Sequence, residues 1–184
     1  LYISVRGFFE ENGSMLYRIT PSGIGSGPLI TFSESLGMRI QEMAGFGQQL
    51  GLIVTDFIPG SQPSNYEIWV SDGTPEGTQM VRSNLAAANH LTPVEDALFF
   101  SASENADDNE QIWRSDGTEA GTKPVSAYPQ QRCSCPPDQN SFLFHKGRFY
   151  LSLNDELENP AGNGCELWSI NFSPYKLFFP QVEG

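Results

Sequence analysis

Acidic side chains are the most plentiful chemistry-bearing groups in the sequence. Its 184 residues hold 22 Asp and Glu against 10 Lys and Arg, a formal net charge of −12. Two stretches concentrate them: Glu104-Asn105-Ala106-Asp107-Asp108-Asn109-Glu110 and Asn154-Asp155-Glu156-Leu157-Glu158-Asn159. Hard carboxylate oxygens suit calcium. Asp107, Asp108, Glu110, Asp155, Glu156 and Glu158 are therefore the metal-ligand candidates. Neither stretch has the alternating acids and central glycine of the twelve-residue calcium loop. The plainer reading is that these charge runs face water. Beyond that calcium option the chain is expected to require no cofactor. Carboxylates could also supply the acid and nucleophile of a glycosidase, but nothing singles out two of them.

The thiols and imidazoles carry less. An odd set of cysteines, Cys133, Cys135 and Cys165, leaves at least one unpaired within the chain. A bridge from Cys133 or Cys135 to Cys165 would suit a secreted protein, and free thiols are the competing reading. The Cys-x-Cys spacing falls short of what zinc usually takes. His90 and His145 have no ligand spacing to each other. His90 reads as preceding a strand and His145 as part of a hairpin. Phe8, Phe9, Phe46 and Tyr66 could stack on sugar rings or simply end strands. The acidic balance argues against a nucleic-acid partner, whose footprint would be basic. No apolar run approaches the ~18 residues of a membrane span. Leu1 is not a start methionine, and no charged-then-apolar leader precedes it, so any secretory leader is expected to be gone.

What positions these groups is a repeat. Glu67-Ile68-Trp69-Val70-Ser71-Asp72-Gly73-Thr74-Pro75-Glu76-Gly77-Thr78 returns as Gln111-Ile112-Trp113-Arg114-Ser115-Asp116-Gly117-Thr118-Glu119-Ala120-Gly121-Thr122. A shortened copy is Glu166-Leu167-Trp168-Ser169-Ile170, and a weaker one is Met15-Leu16-Tyr17-Arg18-Ile19. A second series precedes each copy: Leu1-Tyr2-Ile3-Ser4, Leu52-Ile53-Val54-Thr55, Leu98-Phe99-Phe100-Ser101 and Phe149-Tyr150-Leu151-Ser152. Short, β-branched and aromatic segments bounded by Gly, Asn, Asp and Pro are strand chemistry. The unbroken apolar runs of the second series predict strands buried on both faces. Ser-Asp-Gly-Thr is turn chemistry. Val94-Glu95-Asp96-Ala97 and His145-Lys146-Gly147-Arg148 read as hairpins into the buried strand.

Each unit is thus four strands; in the third these are 91–94, 98–102, 111–115 and 122–125. Repeats of this length with four strands per unit predict an all-β fold, a β-propeller of about four four-stranded blades. The units run approximately 1–44, 45–90, 91–141 and 142–184. The sole helical candidate is a short segment over 36–43, flanked by glycines. The acidic stretches fall between the buried strand and the Trp strand of neighbouring units. The second unit's counterpart, 59–65, carries no charge, so a calcium site would be local rather than one per blade.

At these residues the chain resembles bacterial repeat proteins whose unit is Glu-Leu-Trp-x-x-Asp-Gly-Thr followed by x-x-Gly-Thr. Residues 67–78 match closely, and 111–122 match with Gln111 at the Glu position. Residues 166–168 keep Glu-Leu-Trp and lose Asp-Gly-Thr; residues 15–20 keep only the apolar pattern. The resemblance implies a secreted or cell-surface β-propeller protein with little established catalysis. Sialidase-type boxes fail in both spacing and order, since Asp here directly precedes Gly.

The motif residues read as structural. Trp69, Trp113 and Trp168 are expected between blades. Asp72 and Asp116 are expected to cap their own turns, and Thr74, Thr78, Thr118 and Thr122 to bond across them. Ser71, Gly73, Gly77, Ser115, Gly117 and Gly121 complete the turns. A residue needed in every repeat is explained by stacking repeats. The expected role is a non-catalytic module holding a protein or glycan partner at a loop face, within a larger assembly if strands are shared. The competing role is a propeller glycoside hydrolase or lyase with carboxylates at a central channel. The lead-in character of Val182-Glu183-Gly184 predicts that the termini meet and close a four-bladed ring. A segment of a longer propeller is the alternative.

Overall fold

A computed structural model describes residues 2–6, 14–24, 27–32, 37–56, 60–106, 108, 110–125, 142–154 and 165–171. The chain is all-β and built of antiparallel sheets of four strands. The first sheet pairs β1 (Tyr2–Arg6) with β2 (Ser14–Thr20), whose other edge takes two short pieces, β3 (Gly23–Ile24) and β4 (Ile30–Thr31). The second runs β5 (Arg39–Phe46), β6 (Gln49–Thr55), β7 (Tyr66–Ser71) and β8 (Gln79–Leu85). The third runs β9 (Ala87–Val94), β10 (Ala97–Ser103), β11 (Gln111–Ser115) and β12 (Lys123–Pro124). The described part of the fourth has β13 (Phe142–His145), β14 (Arg148–Asn154) and β15 (Cys165–Asn171). Within the second, third and fourth sheets, strands neighbour in chain order, which keeps the connections short.

The apolar runs of β6 and β10 are buried on both faces, as expected. In β10 every residue from Ala97 to Ser103 is buried. In β6 the alternation of strand side chains splits one run between two cores. Leu50, Leu52 and Val54 join Leu16, Phe32, Met38 and Ile40, between the first and second sheets. Ile53 joins Ile68, Val70, Leu98, Phe100 and Trp113, between the second and third. Gly51 lies on that second face. A Cβ there would sit 2.3 Å from Leu98 Cδ2, so the glycine leaves room for the buried Leu98 side chain. β9 also lies against β5 on one side and β13 on the other, so successive sheets stack in chain order.

Two expectations fail. Among the described residues of that segment, 37–43, no helix forms: β5 occupies Arg39–Phe46, closed onto β6 by a hairpin in which Phe46 pairs with Gln49. Gly37, inside that segment, and Gly47, beyond it, take positive φ, 60° and 49°. Local propensity favoured neither state, and tertiary pairing with β6 decided it. The first strand of the third sheet also begins at Ala87 rather than 91, so His90 lies inside β9. The hairpins at Glu95-Asp96 and Lys146-Gly147 do form, with Val94 opposite Ala97 and His145 opposite Arg148. Both residues of the Lys146-Gly147 turn have positive φ, as a tight hairpin with right-handed strand twist requires. The chain termini lie outside the described residues.

Candidate functional site

The repeated motif builds the same loop twice. Ser71 ends β7, and its hydroxyl bonds Thr78 Oγ1 at 2.7 Å and accepts from the Gly73 amide at 3.1 Å. Asp72 Oδ1 accepts from the Thr74 amide at 2.9 Å and the Thr74 hydroxyl at 2.7 Å. Thr74 Oγ1 accepts from the Gly77 amide at 3.0 Å, and Thr78 Oγ1 donates to the Thr74 carbonyl at 2.6 Å. The second copy repeats each distance within 0.1 Å: Ser115 to Thr122 at 2.7 Å, Gly117 to Ser115 at 3.1 Å, and Thr118 to Asp116 at 3.0 and 2.7 Å. Gly121 to Thr118 follows at 3.0 Å and Thr122 to the Thr118 carbonyl at 2.6 Å. Gly73 and Gly117 hold φ of 91° and 90°, a conformation side chains resist. Gly77 and Gly121 are required for space. A Cβ on either would lie 2.1 or 2.0 Å from the carboxylate of Asp72 or Asp116.

Each loop leans on the preceding sheet. Arg18 of β2 donates to the Gly73 carbonyl at 3.2 Å. Gln49, where β6 begins, fills the space a Gly117 Cβ would need. The tryptophans do likewise. Trp113 is buried, stacks on Phe100 at 6.1 Å, donates to the Ala102 carbonyl at 3.2 Å, and carries the Arg82 guanidinium 5.0 Å above its ring. Trp69 is half-buried and meets the Phe32 ring edge-on at 5.1 Å, while its indole N–H donates to Glu67 at 2.8 Å. So the motif's glutamate caps the indole of its own tryptophan, two residues on. Trp168 lies in β15 opposite Leu151.

The side-chain and then the backbone hydrogen bonds from Thr74 hold the Asp72 carboxyl below its ordinary value, and the Thr118 hydroxyl does the same for Asp116. A depressed native pKa stabilises the fold above the unfolded value, and the contribution is lost as pH falls through the native value. Melting temperature is thus expected to drop below about pH 4. The drop should be shallower in Asp116→Asn, read by circular dichroism from pH 6 to 2.5. An unchanged profile in that variant would remove Asp116 from the loop's stability.

A second polar cluster, not foreseen in the sequence, lies on the first strands of the second and third sheets. Both strands bulge at matching places, between Ile40 and Glu42 in β5 and opposite Phe99–Ser101 in β9. The bulge gives His90 a φ of 63° and turns two amides out of the β9 ladder. Glu42 receives both, His90 at 3.0 Å and Leu91 at 2.9 Å. Gln41 reaches Asn89 at 3.1 Å. Glu110 turns inward, accepting from the Ser101 hydroxyl at 2.7 Å and from Asn89 Nδ2 at 3.5 Å. Nearby, Asp56 accepts from the amides of Ser64 and Asn65 at 2.8 and 3.0 Å and from the Ser64 hydroxyl at 2.6 Å. Desolvation pushes its pKa up, but these bonds together outweigh it and hold the carboxyl below its ordinary value. Desolvation raises the Tyr66 phenol, helped by the charges of Asp56 and Glu110.

The acidic stretch at 104–110 is dispersed. Glu104 pairs with Arg82, Asp108 accepts from Asn105 at 2.6 Å, and Glu110 faces the interior. Among the described residues no group of three or more His, Cys, Asp or Glu stands close enough to hold a metal. Asp107, Asp155, Glu156, Glu158, Cys133 and Cys135 lie outside the described residues, and Cys165 is placed as the first residue of β15. Of the aromatics weighed as sugar platforms, Phe46 is buried in the second core and Tyr66 is packed against it.

No protein-family model and no curated protein matches the chain.

Proposed function

We propose that the chain is a non-catalytic β-propeller module, secreted or displayed at a cell surface, that binds a protein or glycan partner. The observation that carries this reading is how its acids are used. Glu42, Asp56, Glu67 and Glu110 are the partly buried acids among the described residues; donors of the fold engage both oxygens of Glu42, Asp56 and Glu110, and the Trp69 indole engages one oxygen of Glu67. A general acid or nucleophile must instead reach substrate with a free oxygen. The recurrence of one loop in two sheets supports a repeat architecture, in which sheets stack through neighbour contacts alone. The likeness of residues 67–78 and 111–122 to the Glu-Leu-Trp-x-x-Asp-Gly-Thr repeats supports both the propeller and the extracellular setting. Calcium, if bound, would belong to the acidic stretches and not to the repeated loop, where Oδ1 of each Asp already accepts from a hydroxyl and an amide.

The test is incubation with a panel of soluble polysaccharides, followed by assay for new reducing ends and for unsaturated products. The expected outcome is no turnover. Cleavage that disappears in Glu110→Gln would overturn the reading in favour of a glycoside hydrolase or lyase.

A further inference from the structure

A cleft of about 480 Å³ runs beside β8, lined by Met80, Val81, Arg82, Ser83, Asn84, Glu104, Asn105 and Glu119. The first five are consecutive residues of one strand. Side chains alternate across a sheet, so a cavity on one face would touch every second residue. A cleft touched by five in a row lies along the strand's edge. The pairing agrees: among the described residues β8 is laddered to β7 alone, leaving its other edge without a strand. The edge strands of the first and third sheets, β4 and β12, are only two residues long, whereas β8 has seven. Proteins commonly blunt exposed edges with shortness, charge, proline or bulges. Gln79–Leu85 is long and holds no lysine or proline; its one charge, Arg82, is tied to Glu104, and its ladder with β7 shifts register around Ile68.

We infer that the β8 edge takes an extended, basic peptide strand from a partner protein by strand addition. This deepens the binding-module reading and rests on it. Backbone bonds to β8 would supply affinity, and the cleft walls would read alternate side chains. Its charge sets the peptide's sign. Arg82 and Glu104 line the cleft as a pair that cancels, with Arg82 seated over Trp113, so Glu119 on the flanking loop is the cleft's net charge. The whole chain adds its net −12 to the attraction. Met80, 45% exposed, offers a flexible thioether to an apolar residue between the basic ones.

The test uses a fluorescein-labelled Lys-Val octapeptide, its Glu-Val counterpart, and the Lys-Val peptide N-methylated at every second residue, each titrated by anisotropy at low salt. The Lys-Val peptide should bind and should slow hydrogen exchange across 79–85. N-methylation should weaken it roughly tenfold or more through the lost backbone bonds. Glu119→Lys, at an exposed site, should weaken it about two- to fivefold with an unchanged melting temperature. Failure of the Lys-Val peptide to bind, or equal binding of the N-methylated or Glu-Val peptide, would overturn the inference. Neither result would touch the turnover assay, whose positive outcome is what would overturn the module reading.

Discussion

Trp113→Ala should lower the unfolding free energy by about 3–5 kcal/mol, the range for truncating a large buried aromatic. At this chain length that corresponds to a melting-temperature drop of roughly 6–20 °C. The reasons are local and concrete. Trp113 is 1% exposed, fills the space between the second and third sheets, stacks on Phe100 and lies under the Arg82 guanidinium. Its removal leaves a cavity that two sheets cannot both close, and strips the Ala102 carbonyl of its indole donor. Trp69→Ala should cost clearly less, because Trp69 is half-buried and its N–H is capped by Glu67 rather than by a buried carbonyl. Urea denaturation followed by far-ultraviolet circular dichroism measures both. Equal losses at the two positions would contradict the asymmetry between the two sheet interfaces.

Gly121→Ala should cost about 2–4 kcal/mol, far more than a methyl on an exposed turn ordinarily would. The φ of Gly121 is not in the left-handed region, so its backbone alone does not demand glycine. What demands it is the Asp116 carboxylate, 2.0 Å from where the Cβ would stand. That carboxylate cannot step aside freely, because both the amide and the hydroxyl of Thr118 hold it. A methyl at 121 must either break those bonds or distort the chain that brings Thr122 to Ser115. Gly77 faces the same obstacle in Asp72. Two positions in different sheets with one steric reason explain why the second Gly-Thr of the motif keeps its distance from the Asp.

The strand order of the second and third sheets was legible in the sequence because their information is local. Trp69 and Trp113 each follow an apolar run, and pair across to Leu52 and Phe100 within it. Ser-Asp-Gly-Thr names its own turn, and Glu95-Asp96 closes a hairpin between apolar segments. β5 was missed because Arg39-Ile40-Gln41-Glu42-Met43 fits a helix nearly as well as a half-buried strand. Repeat phase, by comparison with Val94-Glu95-Asp96-Ala97, could have decided it: Phe46-Gly47-Gln48-Gln49 stands at the same place before β6. The role of Glu42 was not legible, since its amide partners lie 48 and 49 residues away and exist only where β9 bulges. Glu110 misled for a related reason. In a run of acids it reads as solvent-facing, and only the pairing of β10 with β9 puts Ser101 and Asn89 within its reach. The β8 cleft belongs to no single segment, because strand and loops of two sheets make it together.

The repeated motif is therefore architecture: its polar atoms close loops, and its glycines leave room for the closing carboxylate. A double-mutant cycle on Asp116 and Gly121, read by urea denaturation, tests this most directly. Asp116→Ala alone should cost about 0.5–2 kcal/mol, as loss of a capping side chain does. Once the carboxylate is gone, adding Gly121→Ala should be neutral or slightly stabilising, since the new methyl meets nothing and stiffens the unfolded chain. The coupling between the two sites should then reach about 2 kcal/mol or more. If Gly121→Ala costs the same with and without the Asp116 carboxylate, the carboxylate is not what the glycine makes room for, and the structural account of the motif is wrong.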